Sequence, residues 1–315
     1  MTSRATAPTS PPAVTVEGLT KRYGGRAAVE DLYFELPRGV VAGFIGPNGA
    51  GKTTTMAMLL GLVSPTAGHG SVLGHPLDKP ASFLPRVGAL IEGPAMYPGL
   101  TGTENLRVLA AMGNRDASRI PHVLEQVGLA DRADDRFREY SMGMKQRLGI
   151  AGALLGDPEL LILDEPTNGL DPVGMREIRA LIADIASTER TVLVSSHLLG
   201  EIEQVCDWLV VIERGTGVYA GPSADFVGGA ATTVAVAPEH SSDVELLGQL
   251  LLAEGHDADI DGERVLVAVN GHDPRQLAAS IDRLAHEHGL VLAELEQRRA
   301  NLQDRYLSLV EGGLR

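Results

Sequence analysis

The stretch Gly46-Pro-Asn-Gly-Ala-Gly-Lys-Thr53 carries the most specific chemistry in this chain. It follows an apolar run and opens a helical pattern, the context in which G-x-x-x-x-G-K-[ST] cradles phosphate. Glycines let backbone N–H groups turn inward around phosphate oxygens, and the helix N-terminus adds positive potential. Gly46, Pro47, Asn48, Gly49, Ala50, Gly51, Lys52, Thr53 and Thr54 are therefore candidate phosphate-binding residues. Lys52 is expected to reach the β- and γ-phosphates of a nucleotide, and the Thr53 hydroxyl to hold Mg2+. A second group ends the run Leu160-Leu-Ile-Leu-Asp164-Glu165-Pro166. An apolar strand closing in two carboxylates sets one inward at a metal and the next at the strand tip. Asp164 suits Mg2+ through water, and Glu165 suits a base that polarises an attacking water. His197, which ends Thr191-Val-Leu-Val-Ser-Ser-His, is expected beside the same loop, where an imidazole N–H meets charge developing on the γ-phosphate. Taken singly, each group has a plain alternative: a glycine-rich turn, a solvated loop, a core histidine. Together in one chain they argue against it.

The segment Glu139-Tyr-Ser-Met-Gly-Met-Lys-Gln-Arg-Leu-Gly-Ile-Ala151 raises a question. Ser141 caps a helix whose first amides form another anion site, aimed outward. A chain that binds one nucleotide needs only one such place.

These residues require a scaffold of alternating strands and helices. Residues 14–17 and 33–36 read as short strands of an entry sheet. Residues 40–46, 160–166 and 191–197 are continuous apolar runs, as buried parallel strands are. Residues 53–63 and 176–187 have helical spacing, and 206–221 gives two strands about a glycine-containing turn. The expectation is an α/β domain with a mainly parallel sheet. Beyond it, 232–238, 264–270 and 290–296 alternate like half-buried strands. Between them, Ser242 and Glu245 are spaced as a capping box, and Asp273-Pro274 as N-cap and first helical residue. Strand–helix–hairpin–helix–strand predicts a small ferredoxin-like α+β domain with a terminal helix at about 301–311. The expected division is a disordered tail over 1–13, a nucleotide-binding domain over 14–227 and an accessory domain over 228–315.

Composition narrows the class. The chain has 315 residues, 44% hydrophobic, and a net charge of −14. Residues 1–221 hold 20 basic and 25 acidic side chains, net −5, and residues 222–315 hold 7 and 16, net −9. Neither part has the basic surface of a nucleic-acid binder. No apolar run reaches the roughly 18 residues of a membrane span. One cysteine, Cys206, excludes an internal disulfide framework and suits the cytosol. The run Asp257-Ala-Asp-Ile-Asp261-Gly262 imitates a calcium loop, but the twelfth position is Ala268 where a glutamate is needed. A hairpin turn is the simpler reading, and His272, His286 and His288 form no convincing metal set. No metal beyond Mg2+ is expected.

In combination and order, these motifs resemble the nucleotide-binding subunit of an ATP-binding-cassette (ABC) transporter, over roughly residues 14–221. The resemblance implies a P-loop ATPase cassette with an antiparallel sheet and a helical signature subdomain, and ATP and Mg2+ as ligands. It puts Tyr23 where the family stacks an aromatic on adenine, and Asp171, in Asn168-Gly-Leu-Asp-Pro172, in the loop after the second acidic motif. Ser141 and Gly143 fall in the family's signature. It also implies an answer to the question above: two cassettes pack head to tail, and each signature closes on the γ-phosphate held by the other. Here the signature reads Tyr-Ser-Met142-Gly-Met144, with Met142 and Met144 replacing a glycine and a glutamine; trans contacts should be weaker, and Met144 contributes through its amide. Glu92 stands where the family has a glutamine that contacts Mg2+ and the membrane partner. The 91–98 and 140–151 segments resemble the branch that exports antibiotics, bacteriocins and related amphiphiles. That implies a homodimer at the cytoplasmic face of the membrane, acting through a separate transmembrane permease. A soluble switch acting on a macromolecular complex, or a regulator that binds ATP without hydrolysing it, are the competing expectations.

Overall fold

Runs of apolar residues buried on both faces set the six-stranded sheet. The computed structural model describes residues 11–186, 190–198, 200, 205–228, 233–269, 273–298 and 305–306. The chain divides into two compact units, Met1–Ser223 and Ala224–Arg315. In the first, β3 (Val41–Ile45), β7 (Leu160–Leu163) and β8 (Thr191–Ser196) are buried at every position. They join β6 (Val87–Leu90), β9 (Trp208–Glu213) and β10 (Thr216–Pro222) in a six-stranded sheet ordered β10-β9-β3-β8-β7-β6. Every neighbouring pair is parallel except β9 with β10. A parallel sheet gathers the C-terminal ends of its strands along one edge, where ligands are taken up.

The first sheet in the chain is antiparallel: β1 (Val14–Tyr23), β2 (Arg26–Leu36), β4 (Ala67–Val72) and β5 (His75–Pro76), ordered β2-β1-β4-β5. Its first two strands are far longer than the four-residue segments predicted. Register shifts between Val16 and Leu19 and between Leu19 and Lys21, beside Gly18 at φ 63°, break the alternation that would have shown their length. Of the expected tail, residues 11–13 are described: Ala13 is buried and donates its N–H to Leu36 O at 2.8 Å. Residues 1–10 lie outside the described residues.

Helix α1 (Lys52–Leu59) stops four residues earlier than its apolar pattern predicts. Gly61 sits at φ 68°. The N–H of Gly61 goes to Met58 O at 3.0 Å and that of Leu62 to Ala57 O at 2.9 Å, the paired reverse bonds of a Schellman stop. α2 (Gly102–Met112), α3 (Ile120–Gln126) and α4 (Met142–Leu154) pack on one another as a helical group within this unit. The capping box lies at α2, where Thr101 and Glu104 exchange side-chain and backbone bonds at 3.1 and 2.8 Å. α5 (Pro172–Ala186) buries Ile178, Leu181, Ile182 and Ile185, a stripe at helical spacing.

The second unit contains α6 (Ser223–Gly228) only in part and then runs β11 (Thr233–Pro238), α7 (Val244–Ala253), β12 (Ala258–Asp261), β13 (Arg264–Ala268), α8 (Pro274–Glu287) and β14 (Leu292–Arg298). The sheet is antiparallel throughout and ordered β12-β13-β11-β14. This β–α–β–β–α–β arrangement is the split-βαβ topology. Val234, Val236, Val265 and Val267 pack against Leu247, Leu251, Leu277 and Ile281. Asp273 caps α8, accepting from Arg275 N at 2.8 Å. The box expected at Ser242 and Glu245 does not form. Ser242 donates to the neighbouring Asp243 at 3.2 Å, a 3-10 turn occupies 241–243, and α7 starts at Val244 without a side-chain cap. Asp261-Gly262 turns the hairpin, with Gly262 at φ 61°. The terminal helix expected at 301–311 lies outside the described residues except for Arg305 and Tyr306.

The stop at Gly61 is testable. A Cβ there would lie 2.7 Å from the Pro80 Cβ in a left-handed backbone, and the conformation alone costs alanine roughly 1–2 kcal/mol. Gly61→Ala should lower the melting temperature by roughly 3–6 °C; an unchanged scanning-calorimetry midpoint would contradict the account.

Candidate active site

The loop between β3 and α1 is held so tightly that only hydrogen fits at two of its positions. A Cβ on Gly46 would sit 2.2 Å from Ile212 O, and one on Gly51, at φ 104°, 2.4 Å from Ala28 O. The loop therefore packs its backbone directly on β9 and β2 and turns into the helix at Lys52. The Lys52 side chain is 5% exposed. Its ammonium donates to Gly46 O at 2.7 Å and Pro47 O at 3.3 Å, and pairs with Glu165 Oε1 at 3.2 Å. A buried cation without such acceptors would carry a penalty of several kcal/mol.

Both acids follow the end of β7. Asp164 is 4% exposed. Its Oδ2 accepts from the Thr53 hydroxyl at 2.8 Å, and its Oδ1 from the Ser195 hydroxyl at 2.5 Å. Glu165 sits at φ 49°. A non-glycine residue in that region stores on the order of 1–3 kcal/mol, and such residues gather at functional sites. The turn swings the Glu165 carboxylate between Lys52 and His197, whose Nδ1 lies 2.7 Å from Glu165 Oε2. The Glu165 N–H donates to Ser195 Oγ at 2.8 Å. Asn48, Gly49, Gly51, Lys52, Thr53 and Thr54 line one cavity of about 350 Å³ together with Glu165 and His197. Ala28 and Asn168 line it too. Neither was foreseen from sequence, nor was Ser195; two serines ending a buried, mostly apolar strand were the available signal, since a buried hydroxyl must find a partner.

The remaining candidates do not line this cavity. Tyr23, 54% exposed, ends β1, with Lys21 Nζ 5.1 Å from its ring centre. Glu92 is exposed at φ 57°, two residues past Leu90, whose carbonyl accepts from Asp164 N at 2.8 Å. Asp171 accepts from Gly174 N at 2.8 Å at the start of α5. Ser141 caps α4, accepting from Met144 N at 3.2 Å. Met142 beside it is 56% exposed, and a Cβ on Gly143 would meet nothing within 4 Å. The α4 N-terminus, with its partial positive charge, thus faces outward. Cys206 is buried, and desolvation pushes its thiol well above the ordinary range, with Asp207 adding to the shift.

The family described as ABC transporter matches residues 29–168. Over 313 residues, 95% of this chain and 97% of the relative, the chain is 36% identical to a bacitracin transport ATP-binding protein of Enterococcus faecalis. It is 33% identical to a Nod factor export ATP-binding protein of Ralstonia nicotianae, over 95% of this chain and 94% of the relative. A lantibiotic transport ATP-binding protein of Streptococcus pyogenes is 41% identical over 64% of this chain and 86% of its own. Among solved structures, the ATP-binding subunit of an ABC transporter superposes with a TM-score of 0.61 at 31% identity, covering 69% of this chain and 95% of that one. With likeness running nearly the full length of two such relatives, the chain belongs to the ATP-binding proteins of the ABC transporter family.

Proposed function

We propose that the cavity around Lys52 takes the triphosphate of ATP and that Glu165 and His197 carry out its hydrolysis. The chain is an ATPase subunit whose hydrolysis is coupled to transport. The observation that carries the reading is the Glu165 carboxylate, held between the Lys52 ammonium and the His197 imidazole at 3.2 and 2.7 Å. Lys52 and the backbone N–H groups of the 46–51 loop, Pro47 excepted, bind the β- and γ-phosphates. Glu165 accepts the proton of the attacking water, and His197 donates to charge on the γ-phosphate. The oxygen donors Thr53, which lines the cavity, and Asp164, buried 2.8 Å behind it, fit a hard divalent cation that keeps most of its ligands as water and phosphate. They would hold Mg2+, with Glu92 nearby along the strand-end edge. Bound there, Mg2+ would neutralise phosphate charge.

Ser141, Gly143 and Met144, whose own N–H is held by the Ser141 hydroxyl, serve a second molecule. Their outward-facing helix N-terminus supports a head-to-tail pair of cassettes in which each closes the other's ATP site, with Asp171 at the contact and Tyr23 on adenine. A homodimer is the simplest such pair. ATP then stabilises the closed state and hydrolysis removes that stabilisation. The names of the full-length relatives support transport over a role as a soluble switch. An antibiotic, peptide or lipid-like amphiphile is the proposed cargo, exported through a separate permease at the cytoplasmic face of the membrane. Among the described residues no helix is long and apolar enough to cross a membrane. The acidic accessory domain over 228–315 is proposed to stabilise or regulate the dimer.

Glu165→Gln should bind ATP and lose hydrolysis by about a hundredfold or more. With saturating ATP it should double its mass on size exclusion; a hydrolysis-dead protein that stays monomeric would remove the second cassette from the account. Met144→Gln, which restores a side-chain donor at the signature, should strengthen that dimer, and an unchanged association constant would show the position to be irrelevant. Lys52→Ala should impair nucleotide binding, read directly with a fluorescent ATP analogue.

A further inference from the structure

One buried hydroxyl touches both acidic residues. Ser195 lies on β8, flanked by β3, which runs into the phosphate loop, and by β7, which ends in the acids. It is 0% exposed, following Val192, Leu193 and Val194 in a strand buried throughout. A hydroxyl offers one proton and two lone pairs. Here the proton goes to Asp164 Oδ1 at 2.5 Å, and a lone pair accepts the Glu165 N–H at 2.8 Å. Meeting both demands fixes the hydroxyl's orientation. The other Asp164 oxygen is turned to Thr53 at 2.8 Å, so the carboxylate is gripped from both ends. The second bond restrains the backbone of Glu165 at φ 49°, the turn that aims its side chain at Lys52 and His197.

We propose that Ser195 is a positioning residue that sets the Asp164 rotamer and the Glu165 turn through one hydroxyl, so that the metal-holding and water-activating carboxylates are aligned by a single group. This rests on the roles proposed above for the two acids. Phosphate binding runs through the 46–51 backbone and through Lys52, which keeps its Gly46 and Pro47 acceptors without Ser195. Its loss therefore falls on kcat and on the Mg2+ requirement, and spares nucleotide affinity.

The test uses the full chain with Ser195→Ala and Ser195→Thr. Fluorescent ATP analogue in EDTA reports Mg2+-free binding, steady-state hydrolysis reports kcat, and the ATP-dependent melting shift titrated with MgCl2 reports the Mg2+ midpoint. Ser195→Ala should bind the analogue within about threefold of wild type, while kcat falls and the Mg2+ midpoint rises by about 10–100-fold. Ser195→Thr, which keeps a hydroxyl on the β-carbon, should recover most of both. Wild-type kcat and midpoint in Ser195→Ala overturn the proposal, as does a loss that a normally melting Ser195→Thr fails to recover. Should Ser195→Ala not fold, Ser195→Cys takes its place; its weak thiol donor should give the same split, and an unchanged midpoint refutes the idea. Asp164→Asn and Glu165→Gln run alongside. If they keep wild-type kcat, the acids' roles fall and this proposal with them; if only the Ser195 variants keep it, this proposal alone falls.

Discussion

An ammonium group shut away from water must be matched by acceptors, and the rest of the site is arranged around that demand at Lys52. Two of its acceptors are backbone carbonyls, of Gly46 and Pro47, so the chain has to curl back over its own lysine. That curl presses the loop against Ile212 O and Ala28 O, where a side chain on Gly46 or Gly51 would collide. The third acceptor is Glu165, and reaching it requires a left-handed turn directly after a buried strand. The glycines and the strained glutamate thus answer one electrostatic requirement.

Strand order makes those partners available. With β8 between β3 and β7, Ile45 pairs with Ser196 and Leu163 with Val194, so the loop, the acids and His197 leave the sheet at one edge. The opposite edge is fastened by a different device. Glu159 precedes β7 and is bound by Arg38 and Arg86; hydrogen bonding from Arg86, helped by Arg38, holds its carboxyl below the usual range. Charge is thus paired at both ends of the strands, with a mostly apolar layer between.

How much of this was legible follows from the range of each interaction. Residues 40–46, 160–166 and 191–197 showed themselves as strands because burial on both faces leaves continuous apolar runs, and the phosphate loop because its glycines and Lys52 act within a few residues. The length of β1 was hidden by shifts around Gly18. The end of α1 was hidden because Leu60, Leu62 and Val63 continue an apolar pattern past the reversal at Gly61. Ser242 loses its capping role to contact with an adjacent carboxylate, a competition that spacing does not show. Ser195 escaped because its partner Asp164 lies 31 residues away, and nothing local marks that pairing.

The burial of Cys206 has a consequence for how this subunit can be handled. Its thiol, the one such group in the chain, is enclosed and held in its protonated form, and neither oxidants nor alkylating reagents attack readily without the thiolate. Any cysteine introduced at the surface would therefore be the single reactive handle on the native background, which leaves the wild-type chain as its own unlabelled control.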